Sequence, residues 1–484
     1  MTNTDYPLKE RLFGLDARSL ALFRIVLGSL VAIDAVDRLR DLGALYTEVG
    51  AFPSVLAPPA GVRAALPFQV MGVELGGMWL VLMFFAGVAM ALGWRTRVFT
   101  VVCWVLQISI QARNPWVMYG ADLLIRTLLF WGIFLPLNQV MSLDRRAGRA
   151  KAPERTPLTV ATLAYTLQIA VLYLVTGILK SGHAWFDGTA GWYALQIDTF
   201  TGPIGVWMRN FPGILWASTL FIISLEYVGS FILFIPWKTT WFRMAILLTY
   251  VVFHISLEVM LQIGWFPWIS VACWLPLIPG EVWDRLGWWE GTVDARPRLW
   301  PSRVVDVFVG ACLFVVLWWN LGTVDPKLVS IRGPVRLAIF DLRLDQNWNM
   351  YAPSPLRDDG WWRADAALAD GSTLDLITGR PPVLSKPMDV PGLYGSSRWN
   401  KFMRSMWSDD AKERQTAYAD WRCRSWNESD EGKENPARQV TLTFVKKMTP
   451  RPGAVQKPVT PVTVTTLSCD ARPKATPKRR HKKV

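Results

Sequence analysis

Charge is scarce in this sequence, and so are the residues that usually hold metals. Aspartate, glutamate, lysine and arginine make up 19% of 484 residues, against about a quarter in soluble domains, which excludes a chain solvated by water along its whole length. Three histidines and no H-E-x-x-H leave no basis for a zinc site. The five cysteines show no metal-like spacing, and Cys103, Cys273 and Cys312 lie in apolar runs, where a thiol acts as a small hydrophobe. Glycine-rich nucleotide loops and G-x-S-x-G elbows are also missing. The opening MTNTDYPLKERLFGLDARS has no short apolar core with a small-residue cleavage site. No removable signal peptide is therefore expected, and the first span would be its own insertion signal.

What is abundant is apolar surface. Hydrophobic residues reach 51%, with 27 tryptophans, a balance suited to lipid, with indoles favoured at both membrane interfaces. Runs at 19–36, 73–92, 98–112, 121–138, 160–180, 214–236, 242–262, 265–280 and 304–321 predict about nine crossing helices. With a cytoplasmic N-terminus, the inside loops carry fifteen basic residues: Lys9, Arg11, Arg18, Arg95, Arg97, Arg145, Arg146, Arg149, Lys151, Arg155, Lys238, Arg285, Arg296, Arg298 and Arg303. The outside loops carry five: Arg38, Arg40, Arg63, Arg113 and Arg209. The bias sets the chain beyond the last span outside the cytoplasm.

That remainder has a different texture. WWRADAALADGSTLDLITG places Asp370-Gly371 between two extended stretches, as a tight hairpin requires. RQVTLTFVKKM and PVTVTTLSC alternate like half-buried strands, and SSRWNKFMRSMW and KERQTAYADWRCRSW read as helices. The expected fold class is a polytopic α-helical membrane bundle followed by a small α+β extracytoplasmic domain on an antiparallel sheet. The divisions fall at 1–325, 326–470 and a basic tail, 471–484. Half of the net charge of +14 lies in that tail, which reads as solvated chain or as a contact for anionic lipid. No nucleic-acid partner is expected, because no basic and aromatic interleaving forms a site. Cys423 and Cys469, each at the end of a predicted element in an oxidising compartment, are expected to be bonded.

Ionisable residues inside the spans need partners. The candidates are Arg24, Asp34, Asp122, Arg126, Glu226, His254 and Glu258. Asp122 and Arg126, four apart on one helix face, are expected to pair with each other. His254 and Glu258 share a face, but two ligands do not make a metal site. In YLVTGILKSGHAWFDGTAGWYALQIDTF, Lys180 stands at the polar end of an apolar helix between Gly177 and Gly182. It is either a snorkelling anchor or a desolvated amine able to take a proton. The acid nearest in sequence, Asp187, is expected to lie outside its pocket, leaving Lys180 uncharged.

An ordered series of segments runs through residues 15–280: LALFRIVLGSL, ARNPWVMYGADLLIRTLLFWGIFLPL, SLDRR, GILKSGHAWFDGTAGWYAL, then His254 followed by GWFPW. Together they resemble the HTTM (horizontally transferred transmembrane) domain family, the membrane domain shared with vitamin K-dependent γ-carboxylases. QNWNMYAPSPLRDDGWW and RWNKFM resemble the extension of bacterial members, which implies a bacterial inner membrane. In the carboxylases a lysine at the lumenal end of a membrane helix deprotonates vitamin K hydroquinone, and the oxygenated quinone then acts as the base that activates glutamate for CO2 addition. The resemblance puts Lys180 on that lysine. It puts His254 near the quinone, with Glu258, Gly177 and Trp185 as further candidates for binding reduced vitamin K or another membrane quinol. A peptide or protein substrate would approach from the outer side. The long lumenal part that binds substrate in the animal enzymes has no counterpart here. Two readings stay open: a quinol-linked lyase, and a non-catalytic membrane scaffold or assembly factor whose outer domain binds a partner.

Overall fold

The computed structural model describes residues 7–57, 73–150, 155–287 and 303–470. The basic tail 471–484 and the loop charges Arg63, Lys151, Arg296 and Arg298 lie outside the described residues. Each expected span is a helix: α1 (Ala17–Arg40), α2 (Val73–Leu92), α3 (Thr96–Arg113), α4 (Gly120–Gly132), α5 (Val160–Leu179), α6 (Pro212–Ile232), α7 (Thr239–Met260), α8 (Phe266–Trp274) and α9 (Arg303–Val324).

Six helices among the described residues, namely α1, α2, α5, α6, α7 and α9, are long and apolar enough to cross a membrane. The other three differ for a physical reason. All of α4 from Ala121 to Gly132 is buried, and α3 buries Gln107, Gln111 and Arg113. Nine-residue α8 buries most of its length. Helices sheathed by protein need neither full length nor unbroken apolar sequence, because their polar groups meet partners rather than lipid. The α1–α2 crossing shows how tightly the bundle is drawn. A Cβ on Gly28 would lie 2.7 Å from the Gly87 carbonyl oxygen, and one on Gly87 2.7 Å from that of Gly28. Only residues without side chains let the two backbones touch.

After α9 comes α10 (Gly333–Asp341), and then residues 343–354 turn into the bundle. Gln346 exchanges hydrogen bonds with Gln168 of α5 at 2.8 and 3.0 Å. It also accepts from Asn320 of α9 at 2.9 Å and from Trp348 at 3.0 Å. Gln168 lies about 18 Å along α5 from Lys180 at 1.5 Å per residue. Irregular backbone at that depth survives only where protein satisfies it; here the Trp319 indole donates to the Gln346 carbonyl at 2.7 Å and Arg126 donates to the Asp345 carbonyl.

The C-terminal domain is an antiparallel sheet of order β2-β1-β3-β4, from β1 (Asp358–Leu368), β2 (Thr373–Asp375), β3 (Ala437–Met448) and β4 (Thr460–Ser468). Gly371 takes the left-handed backbone that the β1–β2 turn needs (φ 86°). Helices α11 (Ser397–Ser405) and α12 (Lys412–Asn427) join the sheet in one apolar core. In it Trp407 stacks on Phe444 at 4.2 Å and Trp362 reaches the Met403 carbonyl at 2.9 Å. The expected Cys423–Cys469 disulfide is present, tying α12 to the residue after β4.

Candidate functional site

Lys180 ends α5 and is buried, at 3% exposure. Its ammonium meets both carboxylate oxygens of Glu226 on α6, at 2.7 and 2.6 Å. The approach depends on Gly177, where a Cβ would stand 3.1 Å from that of Glu226; any larger residue would push α5 and α6 apart at this point. The amine also lies over the Trp185 ring, 5.0 Å from its centroid. The Trp185 indole donates to the Tyr351 carbonyl at 3.1 Å, and the Gly182 amide donates to the Pro353 carbonyl at 2.9 Å. Residues 351–353 thus pack against the turn that carries Lys180.

This geometry corrects the expectation that Lys180 meets no acid. Asp187 does lie elsewhere, bonded to His183 at 2.8 Å and to Thr189 at 2.6 Å. Slight burial works to raise its carboxyl, but those bonds leave it below the ordinary value. Glu226 is the partner, and sequence held a signal for it: a lone carboxylate in an apolar span must find a cation. What sequence lacked was the pairing of α5 with α6.

His254 forms a second centre and is 2% exposed. Its Nε2 lies 2.7 Å from the Tyr173 hydroxyl, which also accepts from the Trp274 indole at 2.9 Å. Tyr173, Phe253, Phe266 and its other neighbours make the surroundings aromatic. Nδ1 has no hydrogen-bond partner among the described residues. Tyr173 precedes Lys180 by about 10 Å along α5, so the two centres are stacked along one helix. Glu258, one turn beyond His254, is half-buried, and no side-chain bond joins it to His254 among the described residues.

A second correction concerns Asp122 and Arg126, which do not pair. Asp122 binds Arg38 of α1 and Arg398 of α11, and Arg126 binds Asp345 at 3.0 Å. Asp34 completes the first group, taking Arg38 at 2.8 Å, Arg398, and the Gln107 amide at 2.9 Å. Two carboxylates and two guanidiniums share one buried cluster, and better-aligned partners from other helices displace the one on the same helix. Arg24 donates instead to the Leu137 carbonyl at 2.8 Å and the Val140 carbonyl at 3.1 Å, closing the chain after α4.

The C-terminal domain also grips a loop of the bundle. Asp198 is held by Lys386 at 2.7 Å, Arg209 at 2.9 Å and Lys447, while the Thr199 hydroxyl donates to Asp359 at 3.2 Å. Burial works to raise the Asp198 carboxyl, but Lys447 and Lys386 outweigh it and hold it below the ordinary value. Asp359 is raised, by burial first and then by the Asp198 charge.

Comparison with known proteins gives one match. The model of the HTTM domain fits residues 14–283. No curated protein and no solved structure matches.

Proposed function

The chain belongs to the HTTM domain family, and on that premise we propose that it is a membrane enzyme in which Lys180 and Glu226 together handle the proton of a membrane quinol. Bound reduced vitamin K, or another quinol, would supply a dissociable phenolic proton and, with oxygen, a base strong enough to activate a glutamate side chain for carboxylation. The residues suit such a group: His254 offers a buried Nδ1 with no hydrogen-bond partner among the described residues, within aromatic surroundings, and the Trp185 ring lies 5.0 Å from the amine.

The observation that carries the reading is the buried contact of the Lys180 ammonium with Glu226. An ammonium cannot itself be a base, but the pair can accept a proton as a unit. Taking one leaves Lys180 as an ammonium beside a neutral Glu226, a net positive charge facing an anion where low dielectric makes that attraction strong. Lys180 then orients and stabilises, and Glu226 stores the proton. Gly177 sets the spacing, and Glu258 and His254 are the candidate contacts for the far end of the quinol. The extracytoplasmic, bacterial inner-membrane placement of the C-terminal domain is part of the proposal, supported by the loop charge bias and by the disulfide.

The test is purified protein in lipid with reduced vitamin K, labelled bicarbonate and a glutamate peptide. Label in the peptide with wild type, and none with Glu226→Gln or Lys180→Met, is expected. No label with wild type would remove carboxylation. A non-catalytic scaffold is the second reading, favoured by one observation: the Arg398 cluster and the Asp198 contacts fix the C-terminal domain to the bundle as a ready platform.

A further inference from the structure

A cavity of about 50 Å³ opens at the end of the bundle far from Lys180, with Arg11, Arg243, Thr239, Glu10 and Glu281 in its wall. Arg243, in the second turn of α7, is 5% exposed. One Nη donates to the Arg11 and Leu12 carbonyls, at 3.0 and 2.7 Å, while its Nε has no partner among the described residues. Arg11 donates to the Thr239 hydroxyl at 3.1 Å, and its Nε is likewise unpartnered. Helix α7 starts at this wall without a side-chain cap, so its positive end adds to the two guanidiniums. Trp237 and Trp241 beside it are 63% and 72% exposed, the placement of indoles at a lipid headgroup level.

The other charges in the wall are already spoken for: Asp16 is bound by Arg18 at 2.8 Å, and Arg155 by Asp284. What remains in the wall is two guanidiniums, Arg11 and Arg243, and two carboxylates, Glu10 and Glu281. A bare anion would meet the carboxylates and a bare cation the arginines, whereas a zwitterion satisfies both. We infer that this cavity receives the phosphoethanolamine head group of a membrane lipid, its phosphate on Arg11, Arg243 and the start of α7, its ammonium on Glu10 and Glu281. The lipid's ammonium can donate hydrogen bonds to carboxylates; the trimethylammonium of a choline lipid cannot.

The protein purified in detergent is titrated with phosphatidylethanolamine and with phosphatidylcholine of the same chains, and bound lipid is counted by native mass spectrometry. Wild type should hold the ethanolamine lipid more tightly, on the order of tenfold for lost charge-assisted bonds. Glu10→Gln with Glu281→Gln should bring the ratio towards one while binding of the choline lipid persists; Arg243→Gln should weaken both lipids. Soluble glycerophosphoethanolamine should displace the ethanolamine lipid, whereas inorganic phosphate displacing it equally well would overturn the inference. Equal affinity for the two lipids in wild type, or an unchanged ratio in the double glutamine variant, would overturn it as well. The glutamine variant keeps the test decisive even if Arg243→Gln does not fold.

Discussion

Glu226 receives the Lys180 ammonium on both of its carboxylate oxygens, at 2.7 and 2.6 Å, where α5 and α6 touch through Gly177. Removing one partner strands the other charge in a dry interior, at a cost of about 3–5 kcal/mol. Lys180→Ala and Glu226→Ala should each lower the melting temperature in detergent, and Lys180→Met with Glu226→Leu should recover most of the loss. If Lys180→Ala alone melts like wild type, the pair is not formed in the folded protein.

Arg398 bridges Asp34 and Asp122 from a different part of the chain. Arg398→Ala leaves two buried carboxylates to Arg38 alone, and should cost about 3–5 kcal/mol and loosen the C-terminal domain. Arg398→Lys should rescue little, since one ammonium cannot span two carboxylates as a guanidinium fork does. Limited proteolysis reads this directly: cleavage between α10 and β1 should quicken in both variants, and resistance equal to wild type would refute the anchoring role.

Asp198 gives a pH signature. Its folded carboxyl is held low by Lys447 and Lys386 against the opposing effect of burial. The stabilisation is therefore complete above the ordinary aspartate value of about 3.9 and fades as pH falls through the lowered folded value. Wild type should melt above Asp198→Asn at pH 7, with the gap shrinking as the solution is acidified below about pH 4. A gap that is constant down to the acid limit would mean that the lysines do not act through this carboxylate.

Topology and redox state can be checked together. A single cysteine at exposed position 370 should react with an impermeant reagent on intact cells, and one at exposed position 148 should not. Reducing the Cys423–Cys469 bond opens a loop spanning 46 residues of sequence separation, which in the chain-entropy model costs about 4 kcal/mol. Free thiols at both positions in non-reduced, mass-mapped protein would contradict the bonded structure and weaken the extracytoplasmic placement with it.

Much of this molecule is set by local pattern. Apolar runs place the nine helices of the bundle, and the six that are long and apolar enough to cross a bilayer fall within a few residues of their expected bounds, because backbone groups in lipid have no other way to be satisfied. Asp370-Gly371 and the alternation in RQVTLTFVKKM place the hairpin and β3 as directly, since turn chemistry and the two-residue strand period are local properties. Lys180 also stands out in sequence, as a cation at the end of an apolar helix. What sequence could not decide is which charge meets which. Asp122 has Arg126 one turn away, yet takes Arg38 and Arg398 from 84 and 276 residues off; Glu226 finds Lys180 46 residues away; and Gln346 enters the bundle to meet Gln168 across 178. A buried charge settles on the partner with the best geometry and the least residual desolvation, and both are fixed only when helices distant in sequence have packed.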